Sequence, residues 1–168
     1  MFFLLLINKI YKQAFYLVNM NEKTLVLIKP DAVARGLVGN IISDLDRTGL
    51  RMIGLKIVKV KKELAEEHYH EHNGKPFFQN LISYLTGKLH NDAKVIAIVY
   101  EGENAIKKIR ELAGETNPEK ADFKSLRSKY GRIHSETKSF ENAIHASDSV
   151  ENANREIALW FKKDEIIE

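Results

Sequence analysis

Two short apolar runs constrain the fold more than anything else in the chain: Thr24-Leu25-Val26-Leu27-Ile28, stopped by Lys29-Pro30, and Lys94 to Tyr100, KVIAIVY. Both are short, rich in branched residues and bounded by polar ones, so both read as buried strands. Around them the pattern alternates. Val38, Ile41, Ile42 and Leu45 fall at helical spacing, and Gly49 follows where a helix should end. From Arg51, Ile53, Leu55 and Ile57 alternate with Gly54 and Lys56 and mark another strand. Glu63 to Glu71 reads as a polar helix, broken by Pro76-Phe77-Phe78 before a helical stretch to about Leu85. A helix from about Asn104 carries Ile106, Ile109 and Ala113 and ends at Gly114. Residues 115–140 form a long polar connection, of the kind that tends to carry function. A short strand near Ala143-Ile144 precedes a last helix with Val150, Ala153, Ile157 and Trp160-Phe161 on one face. The order β-α-β-α-β-α-β predicts an α+β sandwich of the split βαβ kind, its helices covering an antiparallel sheet.

The 168 residues suit one domain that can bury a core without disulfides or metal. Lys and Arg outnumber Asp and Glu by 26 to 23, too small an excess to predict nucleic-acid binding but compatible with a local basic cleft. No cysteine is present, which excludes thiol nucleophiles and thiolate metal sites and makes the cytoplasm the default location. The first nineteen residues, MFFLLLINKIYKQAFYLVN, open apolar but soon meet Asn8, Lys9 and Lys12. That run is far shorter than the roughly 20 residues of a membrane span. It also lacks the basic start and small-residue cleavage site of a secretory signal. Residues 1–19 therefore read as an extension, with Met20 as a candidate true start and 20–168 as the domain; a peripheral membrane or partner-binding segment is the alternative.

The chemistry concentrates in Asn142-Ala143-Ile144-His145-Ala146-Ser147-Asp148-Ser149. This places an imidazole at the end of an apolar strand, just before a helix start that Asp148 or Ser149 would cap, with Glu151 spaced for a capping box. Free N–H groups at a helix start favour an anion such as phosphate. A histidine near its ordinary pKa of about 6.5 is largely unprotonated at neutral pH and can attack phosphorus without a separate base. One histidine before a capped helix is also an ordinary structural feature. His68, His70 and His72 suggest a metal, but two imidazoles at i and i+4 without a carboxylate partner motif are a weak signal. No G-x-x-x-x-G-K-[ST] loop occurs, which excludes a P-loop.

NAIHASDS closely resembles the active-site signature N-x-x-H-[GA]-S-D-S of nucleoside diphosphate kinases. TLVLIKPDAVARGLVGNII, HYHEHNGKPFF, ELAGETNP and EIALWF are similar to further landmarks of that family, in order, from about Thr24 to Phe161. The resemblance implies a ferredoxin-like α+β fold with a four-stranded antiparallel sheet. It also implies a ping-pong reaction in which a nucleoside triphosphate phosphorylates His145 and a nucleoside diphosphate takes the phosphoryl group. Glu156 would then hold the imidazole, with Ser147 supporting it. Lys29 would bind ribose and the reacting phosphate, Asn142 the ribose hydroxyl region, and Tyr69 would stand near the γ-phosphate. Arg110, Thr116 and Arg127 would bind the inner phosphates with Mg²⁺ bridging them, and Phe77 would stack on the base. A homo-hexamer or homo-tetramer would be the assembly, with no nucleic-acid or membrane partner.

The chain departs from the family around its long loop. Phe123-Lys124 replaces a common Pro-Gly pair ahead of Arg127, Phe140-Glu141 replaces the Gly-Arg before Asn142, and Lys75 replaces an arginine before Pro76. The retained set from Lys29 to Glu156 favours an active enzyme over a catalytically silent, nucleotide-binding or regulatory member. Phe77 and the ribose ligands favour it over a carrier that passes phosphate to protein.

Overall fold

The computed structural model describes residues 21–167. The expected extension 1–19 and the candidate start at Met20 lie outside the described residues. In chain order the elements are β1 (Asn21–Ile28), α1 (Pro30–Ala34), α2 (Val38–Asp46), β2 (Arg51–Lys59), α3 (Lys62–His68), a 3₁₀ turn (His70–His72), α4 (Phe78–Leu85), β3 (Lys94–Glu103) and α5 (Ala105–Ala113). Then come α6 (Leu126–Tyr130), β4 (Arg132–Ile133), β5 (Phe140–Glu141), β6 (Ile144–Ala146), α7 (Val150–Trp160) and a closing 3₁₀ turn (Lys163–Glu165).

The main sheet runs β2-β3-β1-β6 and is antiparallel throughout. Each split βαβ unit therefore has one strand inserted between its two parallel members, β3 in the first and β1 in the second. This is the ferredoxin-like arrangement expected from the alternation. Both sheet faces are covered, which explains why β1 and β3 read as unbroken apolar runs. Val26 and Ile28 pack with Ile41, Leu45, Ile98 and Ile109 on one face. Leu25 and Leu27 pack with Ile82, Leu85, Val99 and Trp160 on the other. Each fully buried aliphatic side chain contributes about 1.5–3 kcal/mol. An exposed pair such as Lys107–Glu111, 3.9 Å apart, adds at most about 1 kcal/mol. The two cores hold the fold.

Local chemistry sets the boundaries. Pro30 at the first turn of α1 fits a position whose N–H has no helical partner. Gly114 ends α5 at φ +80°, and a Cβ there would meet Ser125 Oγ at 2.4 Å. Ser149, not Asp148, caps α7 by accepting the Asn152 N–H at 3.1 Å. The expected capping box does not form: Asp148 instead accepts from the Asn152 side-chain amide at 2.8 Å. The helix read as Glu63–Glu71 stops at His68, where Tyr69 leaves helical geometry at φ −98° and ψ 22°. The long polar connection holds α6 and the β4–β5 hairpin, elements too short for hydrophobic periodicity to register. No helix among the described residues is long and apolar enough to cross a membrane.

Candidate active site

His145 is the middle residue of β6 and pairs with Leu27 of β1. Strand alternation sends its neighbours Ile144 and Ala146 into the core with Val26. His145 and Ser147 therefore project from the opposite face, toward α7. On α7, Ala153, Glu156, Ile157 and Trp160 form the buried stripe. One carboxylate on that stripe meets both side chains. Glu156 Oε1 lies 3.0 Å from Nε2 of His145, and Ser147 donates its hydroxyl to Oε2 at 2.6 Å. The Leu25 backbone N–H donates to Ser147 Oγ at 3.1 Å and ties the group to the sheet. The His145 side chain stays 18% exposed, so the ring can still be reached from solvent.

Immediately before the histidine, Ala143 adopts φ +63°, rare for a residue with a Cβ. Its carbonyl accepts the Lys29 N–H at 2.8 Å, which fastens the entry to β6 onto the end of β1. The Lys29 ammonium donates to Asn142 Oδ1 at 2.8 Å. The Asn142 amide donates in turn to the Thr116 carbonyl at 3.0 Å. Arg127, carried by α6, donates to the Gly114 and Ile144 carbonyls at 2.8 and 3.4 Å. Its Nε is buried without a partner, and so is the Tyr69 hydroxyl. Arg110 and Thr116 are exposed.

The electrostatics follow from burial among cations. Desolvation, then Lys29 and Arg127, hold His145 well below the ordinary imidazole range, so it is neutral at neutral pH. Burial raises the Glu156 carboxyl, opposed by His68 and by the Ser147 hydrogen bond. Burial and then Arg127 lower Lys29 to about 7, with Asp31 pulling the other way. Asp31 is itself raised by burial and accepts the Tyr84 hydroxyl at 2.6 Å. Burial, aided by Glu156, pushes the Tyr69 phenol up and keeps it a proton donor.

The structure thus brings His145, Glu156, Ser147, Lys29, Asn142, Arg127 and Tyr69 to one centre. Phe77 lies outside it, 47% exposed. A row of rings joins the two: His68 to Tyr69 at 4.7 Å, Tyr69 stacked on His72 at 6.0 Å, and His72 to Phe77 at 5.6 Å. This row also answers the metal reading of His68 and His72. The helix ends between them, so they do not share a helix face. Among the described residues, the group able to hold a metal is His68, His145 and Glu156, their ligand atoms within 4.8 Å of one another.

Two residues took on a role that the sequence reading did not give them. His68 is buried, with its ring 4.4 Å from His145. It accepts the Trp160 indole N–H at Nδ1, 3.2 Å away. Trp160 stands four residues after Glu156 on the same helical stripe and could have been found by that spacing; the sequence marks His68 only as a weak metal candidate, and nothing in it ties that residue to His145. The other is Glu141, whose departure from the family pattern the sequence shows but whose burial it does not. Glu141, the last residue of β5, is fully buried, paired with Arg132 and 3.0 Å from Nε2 of His90. A buried carboxylate thus anchors the residue before Asn142.

Fold and site together place a neutral imidazole beside a carboxylate and among the cations Lys29 and Arg127, a setting suited to a phosphotransferase. The family model described as nucleoside diphosphate kinase matches residues 22–166. A nucleoside diphosphate kinase of Pyrococcus furiosus is 48% identical over 150 residues, covering 89% of each chain. Among solved structures, a Halobacterium salinarum nucleoside diphosphate kinase in complex with CDP superposes with TM-score 0.78 at 40% identity, covering 88% of this chain and 92% of that one. A Borrelia burgdorferi nucleoside-diphosphate kinase with bound vanadate and ADP, a transition-state mimic, gives 0.79 at 33% identity, covering 89% and 92%. The chain belongs to the nucleoside diphosphate kinase family.

Proposed function

We propose that this chain moves the γ-phosphoryl group of a nucleoside triphosphate to a nucleoside diphosphate by a ping-pong mechanism through phospho-His145. The observation that carries the reading is the Glu156–His145 contact at 3.0 Å. With Nε2 turned to the carboxylate, Nδ1 is the nitrogen left to attack. Its lone pair forms a bond to the γ-phosphorus as the bond to the β–γ bridging oxygen breaks, and the diphosphate leaves. A terminal oxygen of the second diphosphate then attacks the phosphohistidine, the P–N bond breaks, and neutral His145 is restored. Glu156 balances the positive charge that the ring gains while phosphorylated.

Phosphoryl transfer asks mainly for alignment and charge neutralisation. Lys29, Arg110 and Arg127 supply the charge, and Thr116 adds a hydroxyl beside the inner phosphates. Each charged hydrogen bond is worth about 1.5–3 kcal/mol. The buried, unpartnered Tyr69 hydroxyl and Arg127 Nε fit phosphate oxygens. Asn142 and Lys29 would turn to the ribose, and Phe77 would take any base on its exposed face. Mg²⁺ prefers oxygen ligands and is usually held by substrate phosphates. The cluster of potential ligands here is two imidazoles and one carboxylate, a softer set, so Mg²⁺ fits on the nucleotide's own phosphates, where it would supply charge neutralisation.

β2 is an edge strand with Leu55 and Ile57 exposed at 49% and 66%, a surface that favours self-association. We assign a homo-hexamer or homo-tetramer in the cytoplasm, with residues 1–19 as an extension ahead of the domain. The test is intact mass after mixing with ATP and Mg²⁺, then with GDP. One acid-labile phosphoryl group should appear and then leave as GTP forms, and His145→Ala should abolish both. An unmodified protein that forms no GTP refutes the reading.

A further inference from the structure

The buried imidazole of His68 plays no part in the chemistry above, yet it touches the reacting ring. Its hydrogen bonding fixes its form. An indole N–H can only donate, and Trp160 donates to Nδ1 of His68 at 3.2 Å. Nδ1 is therefore an acceptor, and burial, the main influence on this ring, keeps it neutral by lowering its pKa well below the ordinary range. The proton must sit on Nε2. That Nε2–H is buried without a hydrogen-bond partner. One nitrogen of each imidazole and one Glu156 oxygen lie within 4.8 Å of one another. The ring stands edge-on to His145, at 4.4 Å and 80°, and edge-on to Trp160 at 5.6 Å and 88°.

We propose that His68 is a positioning residue for His145, its Nε2–H offered to the Glu156 carboxylate and its tautomer locked by Trp160. Ser147 already holds Oε2 and the Arg155 guanidinium lies 3.9 Å from Oε1, so a neutral donor from His68 adds to them in fixing the buried carboxylate. An ionised, fixed Glu156 holds the His145 proton on Nε2 and leaves the lone pair on Nδ1. The edge-on contact also stops the reacting ring from turning. The same three groups could be read as a transition-metal site, but the Trp160 bond decides against it. A metal at Nε2 would drive the His68 proton to Nδ1, against the indole N–H.

The inference rests on His145 being the nucleophile, and the variants separate the two ideas. His68→Asn keeps an acceptor near the Nδ1 position for Trp160 but removes the Nε2–H. His68→Gln carries an N–H near the Nε2 position. Trp160→Phe keeps a ring but frees the tautomer. The measurements are single-turnover phosphorylation from ATP and Mg²⁺, and the nitrogen-15 spectrum of His145. The His68→Asn variant should phosphorylate roughly 10–100-fold more slowly at unchanged KM, as outer partners of a reacting group typically do. Its His145 spectrum should show the Nε2–H tautomer depleted. The His68→Gln variant should recover most of the rate and tautomer, and Trp160→Phe should fall between. The proposal is overturned if His68→Asn keeps the wild-type tautomer, if His68→Gln is as impaired as His68→Asn, or if added Zn²⁺ binds stoichiometrically and His68→Asn abolishes that binding. The spectrum needs no turnover, so it reports on this inference even if wild-type phosphorylation fails.

Discussion

Replacing Lys29 with methionine should stabilise the protein while it removes activity. Lys29 is 5% exposed, and burial with Arg127 nearby lowers its pKa from 10.5 to about 7. At about 1.4 kcal/mol for each tenfold step, that drop amounts to about 5 kcal/mol held against folding. The sign follows from proton binding. Below pH 7 the amine is charged in both the folded and the unfolded chain, and the full penalty is present. Between about 7 and 10.5 the unfolded chain binds the proton and the folded one does not, so the penalty is relieved as pH rises. Methionine matches the stem and carries no charge. Against the gain stands the Asn142 hydrogen bond at 2.8 Å, whose loss costs about 1–3 kcal/mol. The net is about 2–4 kcal/mol in favour of the variant at pH 6, and a rise in Tm of at least about 4 °C for a domain of this size. Thermal melts of both proteins at intervals from pH 6 to pH 10 measure it, and the gap should narrow above pH 7. A variant that melts at or below the wild-type temperature at pH 6, or a gap independent of pH, refutes the reasoning.

Glu156→Gln keeps an acceptor for His145 but removes the charge, and kcat should fall roughly 10–100-fold with KM little changed; steady-state kinetics at neutral pH checks it. Phe77→Ala should weaken nucleotide binding by about 1–3 kcal/mol, or roughly 5- to 150-fold in KM, equally for purines and pyrimidines. A base-dependent loss would argue against simple stacking. Gly114→Ala forces a Cβ into φ +80° and into Ser125, the cap of α6. It should cost at least about 1–3 kcal/mol in a denaturant melt and slow turnover by displacing Arg127.

The sequence by itself determined the strand and helix order, because two unbroken apolar runs and several amphipathic stretches can be buried only by a sheet covered with helices. It also marked His145, Glu156, Lys29, Asn142, Arg127 and Tyr69, which the fold gathers at one centre, because the signature and its landmarks keep their order and spacing. Only the tertiary structure decided the rest. The five-residue α6 and the two-residue strands of the hairpin are too short to show a period, and their positions come from long-range anchors such as Arg127 on the Gly114 carbonyl and Arg132 on Glu141. Ser149 took the cap from Asp148 because local backbone geometry, not residue type, selects among adjacent candidates. His68 lies far from His145 in the sequence, and no spacing rule links an α3 residue to a β6 residue. They meet because alternation on β6 turns His145, and the end of α3 brings His68, toward the same buried stripe of α7 that carries Glu156 and Trp160. Lys29 is legible as a cation, but its lowered pKa is not, since desolvation is a property of the packed surroundings and not of the residue.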